Sequence, residues 1–120
     1  MRSIRVLLAV AVLGSLLGCH SAYIDAVVQN RSERPLSLVE IDYPSASFGT
    51  QTLVPNGDFH YRFKVLGSGP TKVLWTDGAH QEHSAPGPDL QENDEGKLTV
   101  TFNNNGPVWD KALTNHGHPR

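Results

Sequence analysis

Residues 59–65, Phe59-His60-Tyr61-Arg62-Phe63-Lys64-Val65 ("FHYRFKV"), alternate between apolar and polar side chains at every position. Successive side chains of a β-strand point to opposite faces, so the four apolar residues share one face and the three basic ones share the other. This alternation is typical of a half-buried strand with one face toward a core. We therefore predict a strand over residues 59–65, with its core face listed as Phe59, Tyr61, Phe63 and Val65.

The chain after residue 19 repeats this pattern in short segments separated by Gly, Pro, Asn and Asp. No apolar stripe with a helical period persists there, so the pattern predicts strands. The predicted strands are residues 23–29, 36–43, 47–53, 59–65, 71–76, 79–84 and 97–103, with a short final piece at Val108 and Trp109. Residues 86–96, "PGPDLQENDEG", contain only Leu90 as a large apolar residue and are predicted to form an exposed loop.

Three local signals refine the strand assignment. The apolar phase of the second strand switches near Leu38 and Val39, which predicts a β-bulge. Asp77-Gly78 suits a two-residue type I′ hairpin turn between the strands at 71–76 and 79–84. Pro55-Asn56-Gly57 predicts a turn before residues 59–65.

The number and spacing of these strands indicate the fold class. At 120 residues and 38% hydrophobic composition, the chain is long enough for one domain with a modest core. About seven short strands in one domain resemble an immunoglobulin-like or fibronectin type III-like fold, an all-β single antiparallel β-sandwich. The alternative is a small β-barrel. The only cysteine is Cys19, so the cysteine pair of antibody domains is missing and the resemblance is one of architecture.

The N-terminal residues have the form of an export signal. Two arginines precede an apolar stretch that ends at Leu17, and this stretch is shorter than the roughly 20 apolar residues needed to span a bilayer. Leu16-Leu17-Gly18-Cys19 then resembles the lipobox of bacterial lipoproteins. The resemblance implies cleavage between Gly18 and Cys19, with lipid attached to the Cys19 thiol. The alternative is an ordinary signal peptide that is cut elsewhere and in which Cys19 is incidental.

These signals divide the chain into four segments. Residues 1–18 are the signal peptide, residues 19–22 a lipidated tether, residues 23–110 the β-sandwich and residues 111–120 a flexible C-terminal tail. Because the chain has a single cysteine, the domain is expected to fold without an intramolecular disulfide.

The net charge limits the classes of partner that the chain is expected to bind. The chain has 10 basic and 12 acidic residues, a formal net charge of −2, and loss of Arg2 and Arg5 with the signal leaves about −4. Nucleic-acid binding needs clustered Lys and Arg to displace counterions, so we predict no nucleic-acid partner. Membrane attachment is expected through the lipid on Cys19 instead of a basic patch.

Six histidines prompt a metal-binding hypothesis. His80 and His83 are three residues apart, and on a strand they would point to opposite faces. His116 and His118 could face one side of an extended tail and accept copper or nickel. Neither pair belongs to a four-ligand set with the spacing of a structural zinc site, so we predict no metal ligand and no cofactor.

No catalytic set converges in the sequence either. Gly67-Ser68-Gly69 lacks the Gly-x-Ser-x-Gly elbow of a nucleophilic serine. Lipidation would consume the Cys19 thiol. An acidic cluster could offer carboxylates to calcium but lacks the residue order of a calcium loop, and we interpret it as a solvated loop; its members are Asp89, Glu92, Asp94 and Glu95.

Three further residues have a packing interpretation beside a functional one. Asn30 begins the sequon Asn30-Arg31-Ser32, but a lipobox implies a bacterium, where this short pattern means little. Trp75 alternates with Val73 and is expected in the core. Trp109 is expected to pack over one end of the sandwich, with exposure to a ligand as the alternative.

The expected function is that of a non-enzymatic, lipid-anchored cell-envelope protein that acts as a binding or assembly module. Its expected partners are the membrane, through Cys19, and an unidentified envelope protein. His20 replaces the Asp that retains enterobacterial lipoproteins at the inner membrane, so we expect the outer membrane, facing the periplasm. The alternative is a periplasmic metal-binding protein or metal-dependent enzyme that uses strand and tail histidines, such as His60 with His80 or His83.

Overall fold

Eight β-strands build the computed structural model, which describes residues 21–115. They form two four-stranded sheets, one in the order β4-β1-β7-β8 and the other in the order β3-β2-β5-β6, and neither sheet closes into a barrel. The β-sandwich predicted from the sequence is therefore confirmed. The strands are β1 (Ile24–Asn30), β2 (Leu36–Tyr43), β3 (Ala46–Leu53), β4 (Asp58–Phe63), β5 (Gly69–Thr76), β6 (Glu82–Leu90), β7 (Asp94–Asn103) and β8 (Gly106–Asn115).

The strand pairing is antiparallel with one exception. The first strand, β1, lies between β4 and β7 and pairs with β7 in parallel. The constant-type immunoglobulin order places the first two strands in one sheet, whereas β1 and β2 here lie in different sheets. The chain crosses between the sheets four times, and hairpins join β2 to β3, β5 to β6 and β7 to β8.

The core lies between the inner faces of the sheets, where alternate residues of each central strand are buried. Leu98, Val100 and Phe102 of β7 are each at most 2% exposed, as their alternation predicts. The other large buried side chains include Ile24, Val28, Ile41, Val73 and Leu90.

β4 contains the predicted strand 59–65 only as far as Phe63, and the apolar face of this segment is only partly buried. Phe63 and Val65 are buried, but Tyr61 remains 42% exposed and Phe59 is half-buried. The reason is that β4 is an edge strand, so solvent reaches its side chains from the open side of the sandwich. The Tyr61 ring instead stacks on Phe48 of the other sheet, with ring centroids 4.5 Å apart.

The phase switch in β2 is a bulge, as predicted. The register between β2 and β5 shifts between Ser37 and Glu40, so two residues, Leu38 and Val39, oppose one residue of β5. Leu38 adopts a positive φ of 51° and is 63% exposed. Val39 is thereby turned into the core at 2% exposure.

The exposed loop predicted at residues 86–96 is wrong. Residues 86–90 belong to β6, residues 94–96 belong to β7, and only Gln91–Asn93 connect the two strands. Proline is tolerated on an edge strand because its missing N–H can face solvent, and β6 is such a strand. A bulge at Gly87 and Pro88 opposite Thr71 absorbs the irregular residues, and Thr71 Oγ1 donates to the carbonyl of Pro88 at 2.7 Å.

The predicted C-terminal boundary at residue 110 is also wrong. β8 continues to Asn115 and pairs with β7 along its whole length, so residues 111–115 belong to the sandwich and not to a tail. Trp109 packs against the core, but at the side of the sandwich, over Gly87 of β6, and not over one end as predicted. The indole fits there because residue 87 is a glycine: a Cβ at that position would lie 2.5 Å from the ring.

The two ends of the sandwich differ. β1 enters after Tyr23, at the end where Asp94 of β7 pairs with Asn115, and the carboxylate of the buried Asp94 accepts hydrogen bonds from Gln91 N and Asn115 Nδ2. We call this the tether end. β1 leaves at Asn30, at the opposite end.

We expect Phe63→Ala to lower the free energy of unfolding by roughly 3–5 kcal/mol, because the ring is buried between the sheets. Arg62→Ala, on the solvent face of the same strand, should cost less than about 1 kcal/mol, since its ion pair with Asp25 is exposed. Denaturant unfolding of both variants measures this difference. Equal losses at the two positions would mean that the faces of β4 are reversed.

Candidate functional site

Three loops surround a cleft at the end of the sandwich opposite Tyr23. The cleft has a volume of about 430 Å³ and lies between the β1–β2 loop, the β5–β6 hairpin and the β7–β8 turn. We call it the end cleft. It is lined by Ser32, Glu33, Arg34, Leu36, Trp75, Asp77, Gly78, Ala79, His83, Phe102 and residues 103–106.

The side chain of Asn30 fixes the β1–β2 loop beside the cleft. Asn30 is fully buried, and its Nδ2 donates to the carbonyls of Arg34 and Leu53, both at 2.9 Å. Its Oδ1 accepts from Ser32 N at 3.0 Å and Ser32 Oγ at 2.6 Å. Every hydrogen-bonding valence of the amide is thus used. This buried, doubly donating amide is a structural group, which rules against the sequon interpretation of Asn30.

The backbone of Asn30 holds a second loop. Asn30 N donates to the carbonyl of Gly57, and Asn56 N donates to the carbonyl of Asn30. The turn itself has Gly57 N bonded to the carbonyl of Val54 at 2.8 Å, with Asn56 at a φ of 64°, as a type II turn requires. The predicted Pro-Asn-Gly turn is confirmed, and it is docked on β1.

The β5–β6 hairpin forms the opposite wall, but its turn differs from the prediction. Thr76 pairs with Glu82, and Asp77 N donates to the carbonyl of Gln81 at 2.9 Å. The loop therefore has three residues, Gly78–His80, and not the two residues of a type I′ turn at Asp77-Gly78. His80 has a φ of 63°, which is the left-handed position of a type I turn followed by a bulge.

The Asp77 carboxylate orders this hairpin and carries a perturbed pKa. Oδ1 accepts from Ala79 N at 2.8 Å and from Gln81 N at 3.0 Å, and Oδ2 lies 2.7 Å from His83 Nε2. The hydrogen bond with His83, followed by the one from Gln81 N, lowers the pKa of Asp77 from 3.8 to about 2.

An aromatic stack connects this pair to the core. The His83 imidazole stacks on Trp75 with centroids 5.1 Å apart and an interplanar angle of 17°. Trp75 in turn meets the buried Phe102 edge-on at 5.1 Å. The wall of the cleft is therefore a continuous column of rings from the core to the hydrogen-bonded Asp77 and His83 at the rim.

The β7–β8 turn supplies the third wall. Asn104 Oδ1 accepts from Glu33 N at 3.2 Å, which bridges this turn to the β1–β2 loop. Asn103 Oδ1 accepts from Asn105 N at 2.8 Å. The exposed asparagines thus present amide groups, which both donate and accept hydrogen bonds, around an aromatic floor.

The structure separates the histidines that the sequence suggested as metal ligands. His80 lies on the turn, His83 is bonded to Asp77, and His60 lies on β4 in the other sheet, opposite Val27 of β1. Within residues 21–115, no three His, Cys, Asp or Glu side chains form a group that could hold a metal ion. His116, His118, Gly18 and Cys19 lie outside the described residues.

The other sequence candidates have structural partners. Ser68 Oγ accepts from Glu92 N at 3.0 Å, which connects the β4–β5 and β6–β7 loops. Asp94 is buried and caps the turn at Gln91. Asp89 lies in β6, while Glu95 lies in β7. The acidic residues are therefore spread over two strands and a turn, instead of one solvated loop.

The chemistry of the end cleft favours recognition. A nucleophilic mechanism needs a hydroxyl or thiol hydrogen-bonded to the base, and among the described residues His83 has Asp77 as its hydrogen-bond partner. Ser32 also lines the cleft, but its hydroxyl is engaged by Asn30 and the carbonyl of Arg34. A concave site with an aromatic floor and a few placed polar groups is the general form of a binding pocket.

Comparison with known proteins supports the fold. The chain is similar to a protein from Eubacterium rectale whose structure was determined by NMR, with a TM-score of 0.52 and 9% sequence identity over 83% of this chain and 96% of that chain. At this identity the likeness shows the fold alone. No family model and no curated protein sequence matches the chain. Between residues 21 and 115, no helix has the length and apolar character needed to cross a membrane.

We expect the pKa of Asp77 to rise from about 2 toward 3.8 in His83→Phe, because phenylalanine can keep the stack on Trp75 but cannot bond the carboxylate. In the wild type, a depressed folded-state pKa adds stability above the unfolded-state pKa, and that stability is lost as the pH falls toward 2. A carbon-13 NMR titration of the Asp77 carboxyl measures the pKa. His80→Ala is the control, because its side chain does not contact the Asp77 carboxylate; an unchanged midpoint in His83→Phe would contradict the assignment.

Proposed function

We propose that the protein is a lipid-anchored component of the bacterial cell envelope that acts as a non-enzymatic binding or assembly module, with the end cleft as its binding site. The observation that carries this proposal is the polarity of the sandwich. The chain enters at Tyr23 and the cleft lies at the other end of β1.

The distances suit a tethered binding domain. An extended residue spans at most about 3.6 Å, so the five steps from Cys19 to Ile24 reach roughly 18 Å. The seven residues of β1, at about 3.3 Å each, separate the tether end from the cleft by about 20 Å or more. A lipid on Cys19 would therefore hold the domain at a membrane without covering the cleft.

The cleft is also ordered before any ligand arrives. Its three walls are held by the Asn30 amide, the Asp77 carboxylate and the Asn104 amide. Such preorganisation reduces the entropy lost on binding. The proposed partner is another envelope protein, and no cofactor or metal is invoked.

The proposed location follows from the lipobox and the residue after it. Several acyl chains hold a protein firmly at a bilayer, where one chain holds it only weakly. With His20 at the second mature position, we propose the outer membrane, with the domain facing the periplasm.

Cys19→Ala is expected to leave an unprocessed precursor or to release the protein from membranes, because the lipobox provides one acyl acceptor. Intact-mass measurement of the membrane and soluble fractions tests this. Wild-type protein with a free Cys19 thiol, or cut at a site other than Gly18/Cys19, would contradict the lipid anchor.

A photo-crosslinking residue in place of Asn105, at the rim of the end cleft, is expected to form covalent adducts with a partner protein in native membranes. The same residue in place of Glu92, which is exposed at the tether end, is the matched control and should not form them. Gel analysis after irradiation compares the two. Equal adduct patterns, or none from the Asn105 position, would contradict the end cleft as the binding site.

A further inference from the structure

The four edges of the two sheets differ in how well they are protected against pairing with another strand. An exposed edge presents unpaired N–H and C=O groups to any neighbouring chain, and natural proteins block such edges with prolines, bulges, charges or short strands. β3 and β4 form the edges on one side of the sandwich, and β6 and β8 form those on the other.

Three of these edges carry protective features. β6 has Pro86, Pro88 and a bulge. β8 has Lys111 opposite the buried Leu98, so this charged side chain lies on the inner face, where its Nζ donates to the carbonyl of Asp89 at 3.2 Å. β4 has only six residues, among them Asp58, His60 and Arg62.

β3 has none of these features. Its eight residues, Ala46–Leu53 (ASFGTQTL), contain no proline and no charged side chain. Ser47, Gln51 and Thr52 are exposed. The pairing of β2 with β3 keeps one register from Leu36 to Tyr43, so no bulge interrupts this edge.

Exposed aromatic surface lies beside this edge. Phe48 of β3 stacks on Tyr61 of β4 at 4.5 Å and on Phe59 at 6.4 Å, and Tyr61 is 42% exposed. Aromatic residues are enriched in the centres of protein–protein interfaces. An uncharged, unprotected strand next to the exposed Tyr61 ring is a surface suited to another strand.

We propose that β3 pairs antiparallel with β3 of a second copy of this chain, so that the two β3-β2-β5-β6 sheets join into one sheet of eight strands. A second β3 matches in charge, since two uncharged strands meet without repulsion between like charges. The prolines of β6 and the inward Lys111 of β8 disfavour pairing of β3 with the β6 or β8 edge of a second copy. The contact is therefore isologous and closes as a dimer instead of growing into a fibre.

Cysteine crosslinking of the full chain in its membranes tests this pairing, because Cys19 is the only native cysteine. Ser47→Cys and Gln51→Cys place a thiol on β3, and Val108→Cys, 56% exposed on β8, is the matched control. The unsubstituted chain gives the background from Cys19. With a short bismaleimide, at least one β3 variant should give several-fold more covalent dimer than Val108→Cys.

Two lysines on β3 supply a second measurement. Ser47→Lys with Thr52→Lys in the Gln51→Cys chain should reduce the amount of covalent dimer to the control level, because lysines of the two β3 strands would then face each other with like charges. Both positions are exposed, so the thermal midpoint should change by no more than a few degrees. The proposal is overturned if the β3 thiols crosslink no better than Val108→Cys, if they crosslink only to a different protein, or if the dimer persists with the lysines.

Discussion

The end of the sandwich that carries the end cleft depends on the hydrogen bonds of the buried Asn30 amide. A buried polar group costs free energy unless its hydrogen bonds are made, and the Asn30 amide makes all of them, to the β1–β2 loop and to Leu53, the last residue of β3. The Asn30 backbone adds hydrogen bonds to the turn before β4. Because β1 and β3 belong to different sheets, one side chain ties the two sheets together where the end cleft opens.

The long sides of the sandwich are closed by different means. On one side, the rings of Phe48 and Tyr61 stack between β3 and β4. On the other, Trp109 of β8 covers Gly87 of β6, where a larger residue would collide with the indole. Apolar contacts thus close both long sides, and the hydrogen bonds of Asn30 close the end that carries the end cleft. The fold thus places the tether end and the end cleft at opposite ends of β1.

The strands could be predicted from the sequence wherever a local pattern determines the structure. The alternation in β7 and the phase switch at Leu38 and Val39 are local signals, and both predictions are confirmed. The second half of β6 is predicted as a loop because prolines and a glycine are typical of loops. A strand tolerates these residues at the edge of a sheet, and the edge position is a tertiary property that the local sequence does not show. The same limit applies to Tyr61, whose alternation places it on the core face, although the position of β4 at the edge of its sheet leaves the ring 42% exposed.

The end cleft could be predicted only in fragments. The two-residue turn expected at Asp77-Gly78 would pair Trp75 with His80, whereas the three-residue loop shifts the register and pairs Trp75 with His83. One additional turn residue therefore decides which histidine stacks on the indole and bonds to Asp77. The sequence shows Asn30 only as the first residue of a sequon, because the contact that ties its amide to the other sheet, the carbonyl of Leu53, lies 23 positions away in the chain.

If the hydrogen bonds of Asn30 fix the loops around the end cleft, those loops should open as rarely as the core strands do. Native-state amide hydrogen exchange measures this directly, since exchange reports the free energy of local opening. The amides of Arg31 and Asn56 lie outside the strands but donate to Phe102 and Asn30, so they are predicted to exchange as slowly as the amide of Val28 in β1. If the amides of Arg31 and Asn56 exchange at the rate of an exposed loop, Asn30 does not hold the loops around the end cleft, and the cleft is not preorganised.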